Sequence, residues 1–529
     1  MRPFSCGRAR DLWVPFVIGI CAIPSPAQMH KHNAEDLGVV NFQVSCSPPA
    51  QTAFNHAVAL LHHMTYPQAR AEFQRVEKID SRCALAYWGE AMTLFQPLWP
   101  TRPSPAALQQ GWEATQKAKA LQPPTLREQM FIAAAEAFFF DPAAKDYWLR
   151  IGRWESAMEK AYAAFPDDDE VAAFYALAHL ATTPPDRITR ENADRSAEIL
   201  LRIYRKNPNH PGAMHYLVHA NDVPGREREL MEITRKYERV APDNPHALHM
   251  PTHIYTRIGY WTGVVSGNLR AANAALRYPA GDHGQFVWDE FCHAIEYLIY
   301  GYLQKGNNQA AAAQLRRLRT TPRLEPSFKT AFHLMSTQAR YTLERRAWKE
   351  AATLVPREPA TLDWDRFTWP EAVVRFARGL GAAHLGQLDQ AKAESERLNQ
   401  LETTTMQMHE DLFARNIRVL RLELEAWIAH LEGKQESSVA LMREAAGLEE
   451  STPKAAVTPG PTLPAEELLG DLLLEQKEPA KALAAYQRSM ELYPQRRNSL
   501  LGAARAARLS GQIPLSNVYK GEIEKNSRR

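Results

Sequence analysis

Histidine is the residue type whose spacing says most about chemistry in this 529-residue chain. Six of the 18 histidines lie between 210 and 253, and they include two pairs four residues apart, His215 with His219 and His249 with His253. Helical residues four apart share a face, so each pair can direct two imidazoles to one point. His215 precedes His249 by 34 residues, as His219 precedes His253, which predicts equivalent positions on successive structural units.

The elements that must position these pairs are predicted to be helices in a repeating array. The composition, with 45% hydrophobic and 23% charged residues, is that of a globular protein. The length exceeds the roughly 250–300 residues at which a single core stops growing. Helical pairs recur with a glycine at the turn, as at Gly259, Gly306 and Gly386. Repeats solve the problem of length, because each unit packs only against its neighbours.

Small and aromatic residues repeat at matching offsets. Near the C-terminus, Gly470 is followed by Ala482, Tyr486 and Pro494. The pattern resembles the tetratricopeptide repeat family, whose 34-residue units are helix–turn–helix pairs, and the resemblance covers residues 50–510. It implies an all-α fold, a right-handed superhelical solenoid of about nine to eleven repeats.

Four short stretches resemble, more closely, exported bacterial members of that family for which no activity is established. These stretches are 86–89, 213–219, 246–254 and 459–465.

The resemblance also implies which residues line the concave groove, namely positions two, five, nine and twelve of each unit's first helix. Three units align on Gly225, Gly259 and Gly306 as turn glycines, and their first helices then begin near Pro211, Pro245 and Cys292. Six histidines and two carboxylates fall on groove positions. They are the predicted metal ligands or their hydrogen-bonding partners: His215, His219, Asp222, His246, His249, His253, His293 and Glu296.

An imidazole-rich site suits a transition metal such as zinc, copper or iron, whose identity stays open. The set is large enough for two ions. Two other interpretations stay open: a groove that binds a peptide or an acidic ligand without metal, and hydrogen bonding between units. Pro251 lies inside the second pair, and a helix break there would destroy the four-residue geometry.

Several function classes lack sequence support. The histidine pairs enclose no glutamate of a His-Glu-x-x-His motif, and the chain has no Gly-x-Ser-x-Gly elbow or phosphate-binding glycine loop. The net charge of +3 without a basic block argues against nucleic acid as a partner.

The family resemblance implies a binding module with a peptide or protein partner in the concave groove. The alternative is a metal-dependent enzyme, hydrolytic or oxidative, that uses the same cluster with Glu296 or Asp222 as general base. A purely structural scaffold is the third interpretation.

The N-terminus predicts export. A positive start is followed by a short apolar stretch over 12–23 and by small residues ending at Ala27, which is typical of a cleaved signal peptide. The apolar stretch is shorter than the roughly 20 residues of a membrane-spanning helix, and no later segment is long and apolar enough. We therefore expect a periplasmic or extracellular protein, cleaved near Ala27; an uncleaved anchor and a cytoplasmic chain are the alternatives.

Export allows disulfides, and Cys46 with Cys83 is the predicted pair. The alternative is that these two and Cys292 are all buried thiols.

The chain divides into six predicted segments. They are a signal peptide (1–27), an N-terminal strap (28–50), repeats with the histidine-rich groove (51–324), further repeats (325–450), a proline-rich loop (451–464), and a C-terminal unit with its tail (465–529).

Overall fold

The computed structural model describes most of the chain after the predicted signal peptide. The described residues are 37–528, apart from 100–101, 145, 183–189 and 282. The signal segment 1–27 and the first part of the strap thus lie outside them. Among the described residues, no helix is long and apolar enough to cross a membrane.

The described residues form 25 α-helices, a short 3-10 helix (Trp364–Arg366) and one small antiparallel sheet. In chain order the helices are α1 (Pro48–His62), α2 (Tyr66–Ile79), α3 (Ala84–Met92), α4 (Pro105–Ala120), α5 (Leu126–Phe139), α6 (Tyr147–Ala164), α7 (Asp169–Ala181), α8 (Arg190–Lys206), α9 (Pro211–Asn221), α10 (Met231–Val240), α11 (Pro245–His249), α12 (Pro251–Arg257), α13 (Trp261–Ala275), α14 (Glu290–Gln304), α15 (Asn308–Thr320), α16 (Phe328–Glu344), α17 (Trp348–Ala352), α18 (Thr368–His384), α19 (Leu388–Gln407), α20 (Asp411–Leu431), α21 (Gln435–Glu450), α22 (Ala465–Glu475), α23 (Pro479–Leu492), α24 (Arg497–Leu509) and α25 (Ile513–Arg528). The strands are β1 (Pro279–Ala280) and β2 (Phe286–Val287).

Successive helices pack against each other along the chain, which confirms the all-α repeat architecture. Gly225, Gly259 and Gly306 have φ values of +84°, +69° and +74°, so the predicted turn glycines adopt the left-handed conformation that glycine alone takes without strain. Gly470 differs, because it lies within α22, where a Cβ atom would come within 2.7 Å of the Tyr486 ring. It permits close helix crossing rather than a turn.

The helices that carry the histidine pairs begin as expected. α9 and α11 start at Pro211 and Pro245, where the missing N–H costs no hydrogen bond. Pro251 divides α11 from α12, but Met250 between them keeps helical angles, with φ −53° and ψ −42°. The histidines on either side therefore still share a face.

The proline-rich loop 451–464 and the C-terminal unit lie against α14 and α16, on the side predicted to be the groove. In the proline-rich loop 451–464, the carbonyl of Thr458 accepts a hydrogen bond from the Tyr297 hydroxyl at 3.0 Å, and that of Pro461 accepts one from Arg340 at 2.9 Å. From the C-terminal unit, the buried Arg496 donates to the Tyr300 hydroxyl at 2.8 Å. A peptide partner in this part of the groove would have to displace residues 451–464.

Cys46 and Cys83 form a disulfide, with Cα atoms 5.0 Å apart, that ties the segment before α1 to the start of α3. Cys292 is a buried thiol in α14.

Candidate metal centre

Three histidines from two successive units converge in what we name the first triad: His215 and His219 of α9 and His246 of α11. The Nε2 atom of His215 lies 3.1 Å from the Nε2 atoms of both His219 and His246. Two imidazole nitrogens on one tetrahedral ion, with bonds of about 2.0–2.1 Å, lie about 3.3–3.4 Å apart. The first triad therefore needs only a small outward movement to hold an ion.

The second triad consists of His249 of α11, His253 of α12 and His293 of α14. The Nε2 atoms of His249 and His253 are 2.9 Å apart, so the break at Pro251 has not separated them. The rings of His249 and His293 have centroids 4.3 Å apart. One ring nitrogen from each of the three histidines lies within 4.8 Å of the other two.

The two triads are neighbours. The ring centroids of His246 and His249, one from each triad, are 6.2 Å apart. Trp99 packs against both triads, with its ring 5.7 Å from that of His246 and 5.2 Å from that of His293. Two ions, one bound in each triad, would therefore be close neighbours.

In the first triad, hydrogen bonds on the far side of two rings fix their tautomers. Nδ1 of His215 lies 2.6 Å from the carbonyl oxygen of His62, and Nδ1 of His246 lies 2.8 Å from a carboxylate oxygen of Glu290. Both oxygens only accept hydrogen bonds, so the ring proton is assigned to Nδ1 and a lone pair to Nε2. Burial alone would raise the pKa of Glu290, but His246 and Lys329 outweigh it and hold that pKa well below its usual value.

In the second triad, Nδ1 of His249 donates to Oδ1 of Asn268 at 2.6 Å. The amide nitrogen of Asn268 donates to the carbonyl of Val264 at 2.8 Å, which fixes the amide orientation. Nδ1 of His253 donates to the carboxylate of Asp222 at 2.9 Å. Both Nε2 atoms therefore carry lone pairs, and these face each other.

His293, the third member, is oriented through a relay. Its Nδ1 lies 3.1 Å from Nε2 of His333, whose own Nδ1 donates to Glu296 at 2.5 Å. Ser336 and Arg340 also donate to Glu296, so its carboxyl group accepts hydrogen bonds from three side chains. His333 thus accepts from His293, and Nε2 of His293 is a buried lone pair with no hydrogen-bond partner among the described residues.

The triads therefore present five assigned Nε2 lone pairs. Most of these lone pairs bind protons poorly, because the pKa values of the buried imidazoles that carry them are lowered. Burial lowers the pKa values of His215, His249 and His293 well below the ordinary value, with neighbouring imidazoles adding to the effect. Burial, assisted by Lys454, lowers the pKa of His253 to about 4. Converging neutral imidazoles of this kind are the form in which histidine binds a metal cation.

A third cluster, His62 with Glu170 and His210, has the opposite arrangement of protons. Nε2 of His62 donates to the Glu170 carboxylate at 2.9 Å, and its Nδ1 accepts from the Tyr216 hydroxyl at 3.0 Å. Nδ1 of His210 accepts from the backbone N–H of Ala213, so its protonated Nε2 faces Glu170 at 3.4 Å. These imidazoles point N–H groups at a carboxylate, which makes the third cluster a hydrogen-bonded group rather than a ligand set.

The structure thus gathers the six predicted histidines into two triads, while Asp222 and Glu296 lie behind them. Asp222 orients His253, and Glu296 acts on His293 only through His333, a histidine outside the predicted set. Glu290 and Asn268 were missed as well. The sequence feature that could have identified His333 is its position, 40 residues after His293 and on the first helix of the following unit.

An open side of the first triad meets a cavity of about 210 Å³, which we name the His219 cavity. His219 is half-buried, whereas His215 and the other members of both triads are at most 1% exposed. Aromatic side chains form much of the wall; they are Trp99, Tyr147, Trp148 and Phe413. A small molecule in this cavity would reach the first triad beside His219.

No protein-family model and no curated protein matches this chain. Several solved structures that align with it are helical-repeat proteins of the tetratricopeptide type. They include the Cut9–Hcn1 APC/C hetero-tetramer (12% identity, 91% of this chain and 88% of that chain covered, TM-score 0.33), a human IFIT1 dimer with PPP-AAAA (13%, 89% and 89%, 0.39) and yeast Tom70 (11%, 88% and 96%, 0.35). All three TM-scores are below 0.5, so these alignments carry no argument about the function or a ligand of this chain.

Proposed function

We propose that this chain is a metal-binding helical-repeat protein whose two histidine triads hold two transition-metal ions. The observation that carries the proposal is the set of five buried Nε2 lone pairs that converge while each Nδ1 proton is held by an acceptor behind the ring. Metal-ligating histidines almost always donate their second N–H to a carboxylate, a carbonyl or a similar acceptor. All-imidazole ligand sets suit zinc, copper or iron.

A metal-dependent enzyme is the second candidate, and the His219 cavity favours it over a purely structural site. Three protein ligands per ion leave a fourth position for water or substrate, which is the pattern of catalytic rather than structural sites. In such an enzyme the metal ion would activate a bound water or a substrate oxygen. The chain's own residues would orient the ligands, exclude bulk water and admit substrate beside His219.

The ligand is more consistent with a small molecule than with an extended peptide. The proline-rich loop 451–464 takes up the groove beside the second triad, so the partner peptide implied by the family resemblance would compete with it. Export remains part of the proposal. The disulfide between Cys46 and Cys83 supports an oxidising compartment, in which such bonds persist.

Metal analysis of protein purified without an affinity tag tests the proposal. We expect two ions per chain after reconstitution with zinc or copper, and about one ion fewer in His215→Ala and in His249→Ala. The matched control is His210→Asn in the third cluster, where asparagine keeps the helix cap at the start of α9. Wild-type protein that binds no metal, or triad variants that retain the wild-type content, would refute it.

A further inference from the structure

A second cavity, of about 250 Å³, lies between the proline-rich loop 451–464 and the helices that face it. We name it the Glu423 cavity. Its wall includes five aromatic side chains; they are Trp261, Tyr300, Phe332, Trp369 and Tyr493. The volume is below that of sites for drug-sized ligands, about 300–1,000 Å³, and suits a smaller molecule.

Glu423 of α20 lines this cavity in an unusual state. Its side chain is 0% exposed, and neither carboxylate oxygen has a hydrogen-bond partner among the described residues. Burying an unpaired carboxylate is costly, so buried acidic groups are normally paired. Two other buried glutamates follow that rule, since Glu467 lies 3.0 Å from Arg496 and Glu371 lies 2.8 Å from Arg357.

The neighbouring Glu449 adds a second acidic group to the cavity wall. It accepts hydrogen bonds from the backbone N–H of Ala465 at 3.3 Å and from the Tyr493 hydroxyl at 3.2 Å. Neither donor carries a positive charge. Burial, with Glu466 adding to it, raises the pKa of Glu449 to about 8.

The basic residues of the cavity wall do not neutralise these two glutamates. Lys454 lies 2.9 Å from Asp222, and Arg257 forms an ion pair with the same carboxylate. Both positive charges thus pair with Asp222, the residue that orients His253. The Glu423 cavity is left with two acidic groups that have no cationic partner in the described part of the chain, set among aromatic faces. A cation bound there would favour the ionised form of these groups, and the ring quadrupoles add to the attraction.

We propose that the Glu423 cavity binds a small organic cation, a primary ammonium compound with an apolar group. Glu423 releases its proton to solvent when the cation binds, the ammonium N–H groups donate to the resulting carboxylate, and the apolar part packs against the aromatic side chains. A charge-assisted hydrogen bond of this kind is about twice as strong as a neutral one. The site does not depend on the metal centre.

Isothermal titration of the full chain with phenethylammonium tests this inference, with the uncharged 2-phenylethanol as the matched ligand. We expect the amine to bind at least about tenfold more tightly than the alcohol, which corresponds to about 1.4 kcal/mol. Glu423→Gln should remove that preference, because it keeps the shape of the side chain and cannot ionise when the amine binds. Glu425→Gln on the same helix does not touch the cavity and should bind as the wild type does.

The comparison of amine with alcohol uses the wild-type chain alone and stands even if a variant misfolds. Equal binding of the two compounds, no amine binding at millimolar concentration, or unchanged amine binding by folded Glu423→Gln would each overturn the proposal.

Discussion

Metal affinity at the second triad should be almost independent of pH between 7.5 and 5.5. Protons compete with metal for imidazole lone pairs. For an ordinary histidine with a pKa of 6.5, this competition weakens binding about tenfold at pH 5.5, so three such ligands would lose a factor of about 1,000. The pKa of His253 is about 4, which leaves it almost wholly unprotonated at pH 5.5, and those of His249 and His293 are also lowered by burial.

The assay is competition for zinc against a chromophoric chelator whose own pH dependence is known. Titrations at the two pH values give the affinity of each site, and His215→Ala, which retains only the second triad, isolates the site of interest. Circular dichroism at pH 5.5 checks that the chain is folded. A loss approaching a thousandfold would mean that the imidazoles titrate as exposed ones, and the assigned lone pairs would then be wrong.

Three further changes test separate parts of the molecule. Asn268→Ala removes the acceptor behind His249 and should weaken zinc binding at the second triad by about 10–100-fold in the same competition assay, leaving the first triad unaffected. Gly259→Ala should lower thermal stability by more than about 1 kcal/mol, because φ is +69° and the new Cβ would lie 2.6 Å from the Pro494 carbonyl; Gly447→Ala, in an open helical position, is the control that should not. Burial raises the pKa of Glu423. Above about pH 4.5 the unfolded chain releases the proton of this residue while the folded chain retains it, so the contribution of Glu423 to the stability of the fold falls as pH rises. Glu423→Gln should flatten that decline in denaturation at pH 6 and pH 9, and an unchanged slope would contradict it.

The repeat period alone predicted much of the candidate site. Turn glycines at 225 and 259 set the register, and Pro211 and Pro245 begin the helices that carry both histidine pairs. Because one helical unit contacts the next in a fixed way, equivalent positions in sequence became neighbouring positions in space. This is why a local pattern predicted a long-range cluster.

What the sequence did not reveal is the shell behind the imidazoles. Asn268 lies on the second helix of its unit, and His333 lies one unit beyond the last predicted ligand, so their contacts depend on how helices cross and not on periodicity. The same holds for the third cluster, in which His62 meets a carboxylate 108 positions later. The placement of residues 451–464 in the groove also depends on long-range packing that no repeat pattern encodes.

The two triads are copies of each other under the repeat. Each takes the fifth and ninth positions of one unit's first helix, His215 with His219 and His249 with His253, and completes itself with the second position of the next unit. Neighbouring helices about 8–10 Å apart let these side chains meet at one point. The series ends after two copies because Glu296 occupies the fifth position of the third unit, where it serves as an acceptor behind the centre instead of a ligand. Two adjacent histidine triads are thus the direct consequence of applying one side-chain pattern to three consecutive units.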